Sequence, residues 1–213
     1  MERKIIERKG GFFLNTTNID KQNSHLDLSD PEVKAIFELY QDYAEVPYIS
    51  PERDLEGWLT AASIGSEKLV PKRNMIRYEE DLLPGHLILL WRINFGTFTN
   101  TSGYPKYFEY DYGINGAQAL DEIQEKGYAN ELSASDSLPY LNAAQLKAIL
   151  KQFELTGYSK LKKPELMKLA TEHLTDEQLA PHFKIRGYKI TPAGEELLLK
   201  YPEPVDRHPK KKY

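Results

Sequence analysis

Apolar residues recur at helical spacing along most of this chain, and cap or turn residues separate the runs. Val33, Ile36, Phe37, Tyr40 and Ala44 follow Ser29-Asp30-Pro31-Glu32, a pattern that predicts a helix from Pro31 to a stop at Pro47. Ser50-Pro51 repeats the start signal, with Leu55, Trp58, Leu59 and Ala62 as the next buried face. Pro84 opens HLILLWRINF, which is apolar nearly all round and is expected to be the central helix of the N-terminal part. Asn115-Gly116-Ala117-Gln118 begins another helix, with Ala119, Leu120 and Ile123 inward and Gly127 as its stop.

The next pair of helices is the most informative stretch. Leu146, Ile149, Leu150 and Phe153 form one apolar stripe, and Asn142 with Gln145 has the spacing of a reciprocal cap. Lys147 and Lys151 lie on the opposite face. Pro164 suits the first turn of a second helix, in which Leu166, Leu169 and His173 point inward and Lys168 outward. Between them runs Thr156-Gly157-Tyr158-Ser159-Lys160-Leu161-Lys162-Lys163, where Gly157 can take a positive φ and Ser159 can bond the local backbone. Beyond this pair, Thr175 to Gln178 has a capping-box pattern, Phe183 to Ile190 alternates with period two, and Thr191-Pro192-Ala193-Gly194 caps a last helix carrying Leu197, Leu198 and Tyr201.

The run GYSKLKKPEL resembles the helix–extended loop–helix group that includes SAP domains and the N-terminal domain of the Rho termination factor. The Gly-Tyr-Ser turn, the paired basic residues and the Glu-Leu that starts helix two carry the likeness. Leu161 stands where SAP domains carry a glycine, so the likeness is to the wider group. Members of that group bind DNA or RNA, and some bind proteins. From Tyr107 to the C-terminus the order of segments is also similar to uncharacterised SAP-domain proteins of Gram-positive bacteria and their phages. ALDEIQEKGYA with the polar stretch after it, and later GYKITPAGEELL, resemble the helix, strand and strand-to-helix steps of winged-helix proteins. The exposed face of that first helix, however, is Asp121, Glu122 and Glu125, which suits a protein partner better than a DNA groove.

The expected fold is therefore α+β and mostly helical. A mobile arm over 1–28 precedes an acidic helical domain over 29–140, its second half winged-helix-like. A SAP/Rho-like module over 141–174 follows, then a short helix, strand ribbon and final helix over 175–202, and a basic tail over 203–213.

Charge sharpens this scheme. The net −4 divides into 14 basic against 23 acidic residues over 1–140, and 14 against 9 over 141–213. A basic C-terminal part faces polyanions. The expected nucleic-acid contacts are Lys147, Lys151, Gly157, Tyr158, Ser159, Lys160, Lys162, Lys163 and Lys168, with lysines on phosphates and Tyr158 stacking on a base. The competing reading has the lysines as a solvated face and Tyr158 packed over the turn. Gly103 to Gly113 holds five aromatic residues, which suit either a stacking platform or packing; Glu109 and Asp111 among them favour packing.

Nothing in the chain spells an enzyme. It has no cysteine, so thiolate zinc sites and cysteine nucleophiles are excluded. The five histidines lack helical metal spacing, and no glycine-rich phosphate loop or GxSxG elbow occurs. An active site assembled from distant residues leaves no such trace. No cofactor is expected. No apolar run is long enough to span a bilayer and no signal-peptide pattern opens the chain, so a cytoplasmic place is expected. The expected partner is nucleic acid, DNA or RNA, with a protein partner for the acidic N-terminal part. The alternative is a protein-interaction adaptor, of a phage or mobile element, whose module docks an acidic surface.

Overall fold

The computed structural model describes residues 22–209. In chain order the elements are α1 (Pro31–Leu39), α2 (Leu55–Ser63), α3 (Pro84–Asn94), α4 (Tyr107–Tyr110), α5 (Gly116–Glu125), β1 (Ala129–Glu131), α6 (Ala134–Ser137), α7 (Ala143–Gln152), α8 (Lys163–His173), α9 (Asp176–Leu179), β2 (Tyr188–Ile190), α10 (Pro192–Lys200) and α11 (Glu203–Arg207), with short 3-10 turns at Lys72–Met75, Leu138–Tyr140 and Ala180–His182. The fold is α+β and mostly helical, as the periodicity predicts. No described helix is long and apolar enough to cross a membrane.

Contacts divide the chain into two units, and not along the linear scheme: residues up to Leu83 join Lys106–Asn115, while Pro84–Pro105 joins Gly116 onward. In the first unit, the Asp30 side chain caps α1 by accepting from Glu32 N–H, and Val33, Ile36 and Phe37 are buried beneath it. The helix ends at Leu39, well short of Pro47, and Ala44 is exposed. Asp54 caps α2, so that helix starts later than Ser50-Pro51 suggests. Arg53 is the unit's hidden cation: its side chain is 4% exposed and bonded to Glu109, with the guanidinium 4.5 Å from the Tyr110 ring and 5.2 Å from Trp58. Phe108 and Tyr112 are buried here, so these aromatics pack.

The expected mobile arm needs correction where it is described. Asn23 is buried, accepting from Ile49 N–H at 2.9 Å and donating to Pro47 O at 3.0 Å, while His25 Nε2 bonds Ile49 O. A short polar run carries no local signal of this order, because its partners lie 24 and 26 residues on. The rest of that arm, and Lys210 to Lys212 of the tail, lie outside the described residues.

In the second unit α3 is the central helix, and so it serves the C-terminal part rather than the N-terminal one. Leu87, Ile88, Leu89, Leu90 and Ile93 are each at most 1% exposed, because α5, α10, α11 and β2 all pack on this one helix. β1 pairs antiparallel with β2, Ala129 opposite Ile190 and Glu131 opposite Tyr188. Thr99 bridges Gly187 on the other side, so the extended segments run 99, then β2's approach, then β1. The polar stretch after β1 is therefore no local hairpin: the two strands of the ribbon are joined through residues 132–187. Residues 203–207, expected in the tail, form α11 with Pro204 buried, because proline suits a helix's first turn.

Inside that long connection lies a separate core. Ala134, Leu138, Leu141, Leu146, Ile149, Leu150, Leu166, Ala170, Leu174 and Leu179 are buried together, with Phe183 and Ile185 against them. The module is thus wider than 141–174, running from Ala134 to Ile185. Its two ends are tied where they meet: Ser135 N–H donates to Asp176 Oδ1 at 2.8 Å, and Gly187 N–H to Ser137 Oγ at 3.1 Å. Gly187 lets the Tyr140 ring lie close, since a Cβ there would sit 2.1 Å from that ring and displace it.

Candidate nucleic-acid interface

The module's two main helices are built as expected. Asn142 and Gln145 cap α7 reciprocally, at 2.8 and 2.9 Å. α8 begins at Lys163 with Pro164 in its first turn, and the Glu165 carboxylate accepts Lys162 N–H at 2.7 Å. Leu166 and Ala170, four apart, face the core. His173 is exposed instead of continuing that stripe, because Ala170 and Leu174 complete the buried face.

The turn between them is shaped by its backbone. Gly157 has φ +82° and open space around it, so its part is conformational. Tyr158 is half-buried against the module core, its ring packed rather than free to stack. The Ser159 hydroxyl makes no bond among the described residues; its carbonyl oxygen accepts from Lys147 Nζ at 2.6 Å. Lys147 therefore reaches from α7 and holds the turn. Lys163 Nζ similarly donates to Pro139 O at 2.6 Å, tying the start of α8 to the segment before α7. Lys168 pairs with Glu172 one turn on, at 3.7 Å.

The nine expected residues thus sort by what they touch. Lys151, Lys160 and Lys162 are exposed. Lys147, Lys163 and Lys168 have partners within the module, and Gly157, Tyr158 and Ser159 shape or support the turn. The module's six carboxylates fall in two groups. Asp136, Asp176 and Glu177 lie where α6 meets α9, the bond from Ser135 N–H holding the Asp176 carboxyl below its usual range. The exposed lysines lie on α7 and the turn; there Glu165 is taken up by the cap and Glu172 by Lys168, while Glu154, three residues after Lys151, is exposed.

Two basic residues near the module have different fates. Arg186 donates to Phe183 O, Ile185 O and Ala180 O, so it braces the module's exit. Lys189 is exposed between buried Tyr188 and Ile190 and pairs in register with Asn130. Period two alone puts Lys189 on the outer face, a signal present in the sequence.

Elsewhere in this unit, Tyr188 donates to Glu131 at 3.1 Å, and burial, then that carboxylate, push its hydroxyl up to about 12. Among the described residues no cluster of histidines and carboxylates could hold a metal ion. No protein-family model and no curated protein matches this chain.

Proposed function

We propose that this is a cytoplasmic, non-enzymatic nucleic-acid-binding protein whose inserted module meets phosphates through Lys151, Lys160 and Lys162. The exposure of these three lysines on α7 and the turn carries this reading. Three exposed lysines on α7 and the turn offer a polyanion counterion release without any base contact. Exposed Asp121 and Glu125 on α5 argue against groove reading by that helix, although Glu122 is half-buried against His86 at 3.2 Å, so binding should be insensitive to sequence.

A second reading has its own support. From Ala134 to Ile185 seven lysines stand against six carboxylates, and Tyr158 is packed. Such a module also suits an adaptor that docks an acidic protein surface, as in a phage or mobile element.

Anisotropy of a labelled random oligonucleotide, single- and double-stranded, separates the two. Replacing Lys151, Lys160 and Lys162 with Ser should weaken binding and flatten the slope of log K against log salt by roughly 0.9 per lost phosphate on duplex. Replacing Lys147 and Lys163 should instead lower the module's stability. No binding by the full chain at low salt would leave the adaptor.

A further inference from the structure

A surface of different character lies on the far part of α3. Trp91 and Asn94 of α3, Glu195, Leu198 and Leu199 of α10, and Pro202, Val205 and Asp206 around α11 line an open groove of about 360 Å³. Its aromatic floor is ordered by edge-on packing, with Trp91 4.7 Å from Phe95 and 5.5 Å from His208. Beside it, Leu199 is 81% exposed and Phe95 59%. The helical pattern of α10 does not require an apolar residue at 199, since Leu197 and Gly194 already supply its buried face. Large apolar side chains gathered around a groove mark an interaction surface far better than single exposed ones do.

Charge selects the occupant. The two charged residues lining the groove are both acidic, Glu195 and Asp206. Of the nearby cations, Arg92 lies 5.9 Å from the Phe98 ring and Lys200 5.0 Å from that of Tyr201, while exposed Arg207 follows Asp206 outside the lining. A second copy presenting the same face would set carboxylates against carboxylates. We infer that this groove takes an amphipathic helix of a partner protein, with apolar anchors at i, i+3, i+4 and i+7 and lysine or arginine beside them. Trp91 is the anchor on this side, as buried aromatic residues at interfaces usually are. The inference does not depend on nucleic-acid binding.

The test uses the full chain and a labelled 14-residue peptide with leucines at those spacings and lysines between them. Two other peptides replace its lysines with glutamates or scramble its order. The Leu/Lys peptide should bind saturably, while the scrambled and Leu/Glu peptides bind at least about tenfold more weakly. Leu199→Ser removes only an exposed side chain from the free protein, yet should weaken binding about tenfold. Glu195→Lys with Asp206→Lys should reverse the preference between the charged peptides. Ser in place of Lys151, Lys160 and Lys162 should leave peptide binding unchanged, which separates this site from the module. No binding, equal binding of all three peptides, or indifference to Leu199→Ser would overturn the inference. So would a dimer that Leu199→Ser dissociates, since the occupant would then be a second copy.

Discussion

Leu150 is the most direct lever on the inserted module. It is fully buried between α7 and α8, in a core whose members run from Ala134 to Leu179. Truncation to Ala removes the packing and leaves a cavity, which for buried leucines costs about 2–5 kcal/mol. The 52 residues from Ala134 to Ile185 are expected to hold roughly 3–8 kcal/mol of stability on their own. One substitution should therefore consume much of what keeps the module closed. Hydrogen exchange read by mass spectrometry is the right assay, because it reports each helix separately. In Leu150→Ala, protection in α7 and α8 should fall by at least about 30-fold, from about 2 kcal/mol or more. Protection in α1 should hold. Lys151→Ala, next along the chain but exposed, should change stability by no more than about 0.5 kcal/mol. Equal losses in every helix would show that the module is not a cooperative unit of its own. Equal losses for both variants would mean that the buried face of α7 is wrongly phased.

Three further outcomes follow from the packing. Replacing residues 132–187 with Asn-Gly should leave a folded remainder by circular dichroism, because Glu131 and Tyr188 are register partners that a two-residue turn can join; a molten remainder would show that the module supports its host. Arg53→Met should cost about 3–5 kcal/mol in urea titration, since Glu109 loses its buried partner, and adding Glu109→Gln should recover part of it; full stability in the single variant would refute the pairing. Burial holds the Tyr40 and Tyr188 hydroxyls at about 12 against about 10 unfolded. Their contribution is complete below pH 10 and lost as pH rises through 12, so absorbance at 295 nm should show at least two late tyrosines; uniform ionisation near 10 in a still-folded protein would contradict it.

Local features were legible and long-range ones were not. The caps at Asp30, Asn142, Thr175 and Thr191 and the positive φ of Gly157 depend on neighbours within a few residues, so the sequence displays them. The exposure of Lys151, Lys160 and Lys162 was legible for the same reason. That Lys147 and Lys163 donate to backbone carbonyls 12 and 24 residues away was not, since a lysine tethered to an oxygen has the same pattern as a solvated one. Nor does β1 announce a partner beyond residue 187, because three residues carry too little periodicity to specify one. The module's core begins at Ala134, so isolating it calls for residues 133–186.

The insertion also sets an order in time. On a ribosome adding roughly 5–20 residues per second, about 3–11 s pass between the synthesis of Glu131 and that of Tyr188. During that interval every residue of the module emerges, and α7 and α8 can close on each other before the outer ribbon exists. β1 meanwhile waits with a bare edge, the situation in which strands seek wrong partners. Its brevity, with exposed Asn130 and Glu131 at the waiting end, keeps that edge unattractive until its proper neighbour arrives.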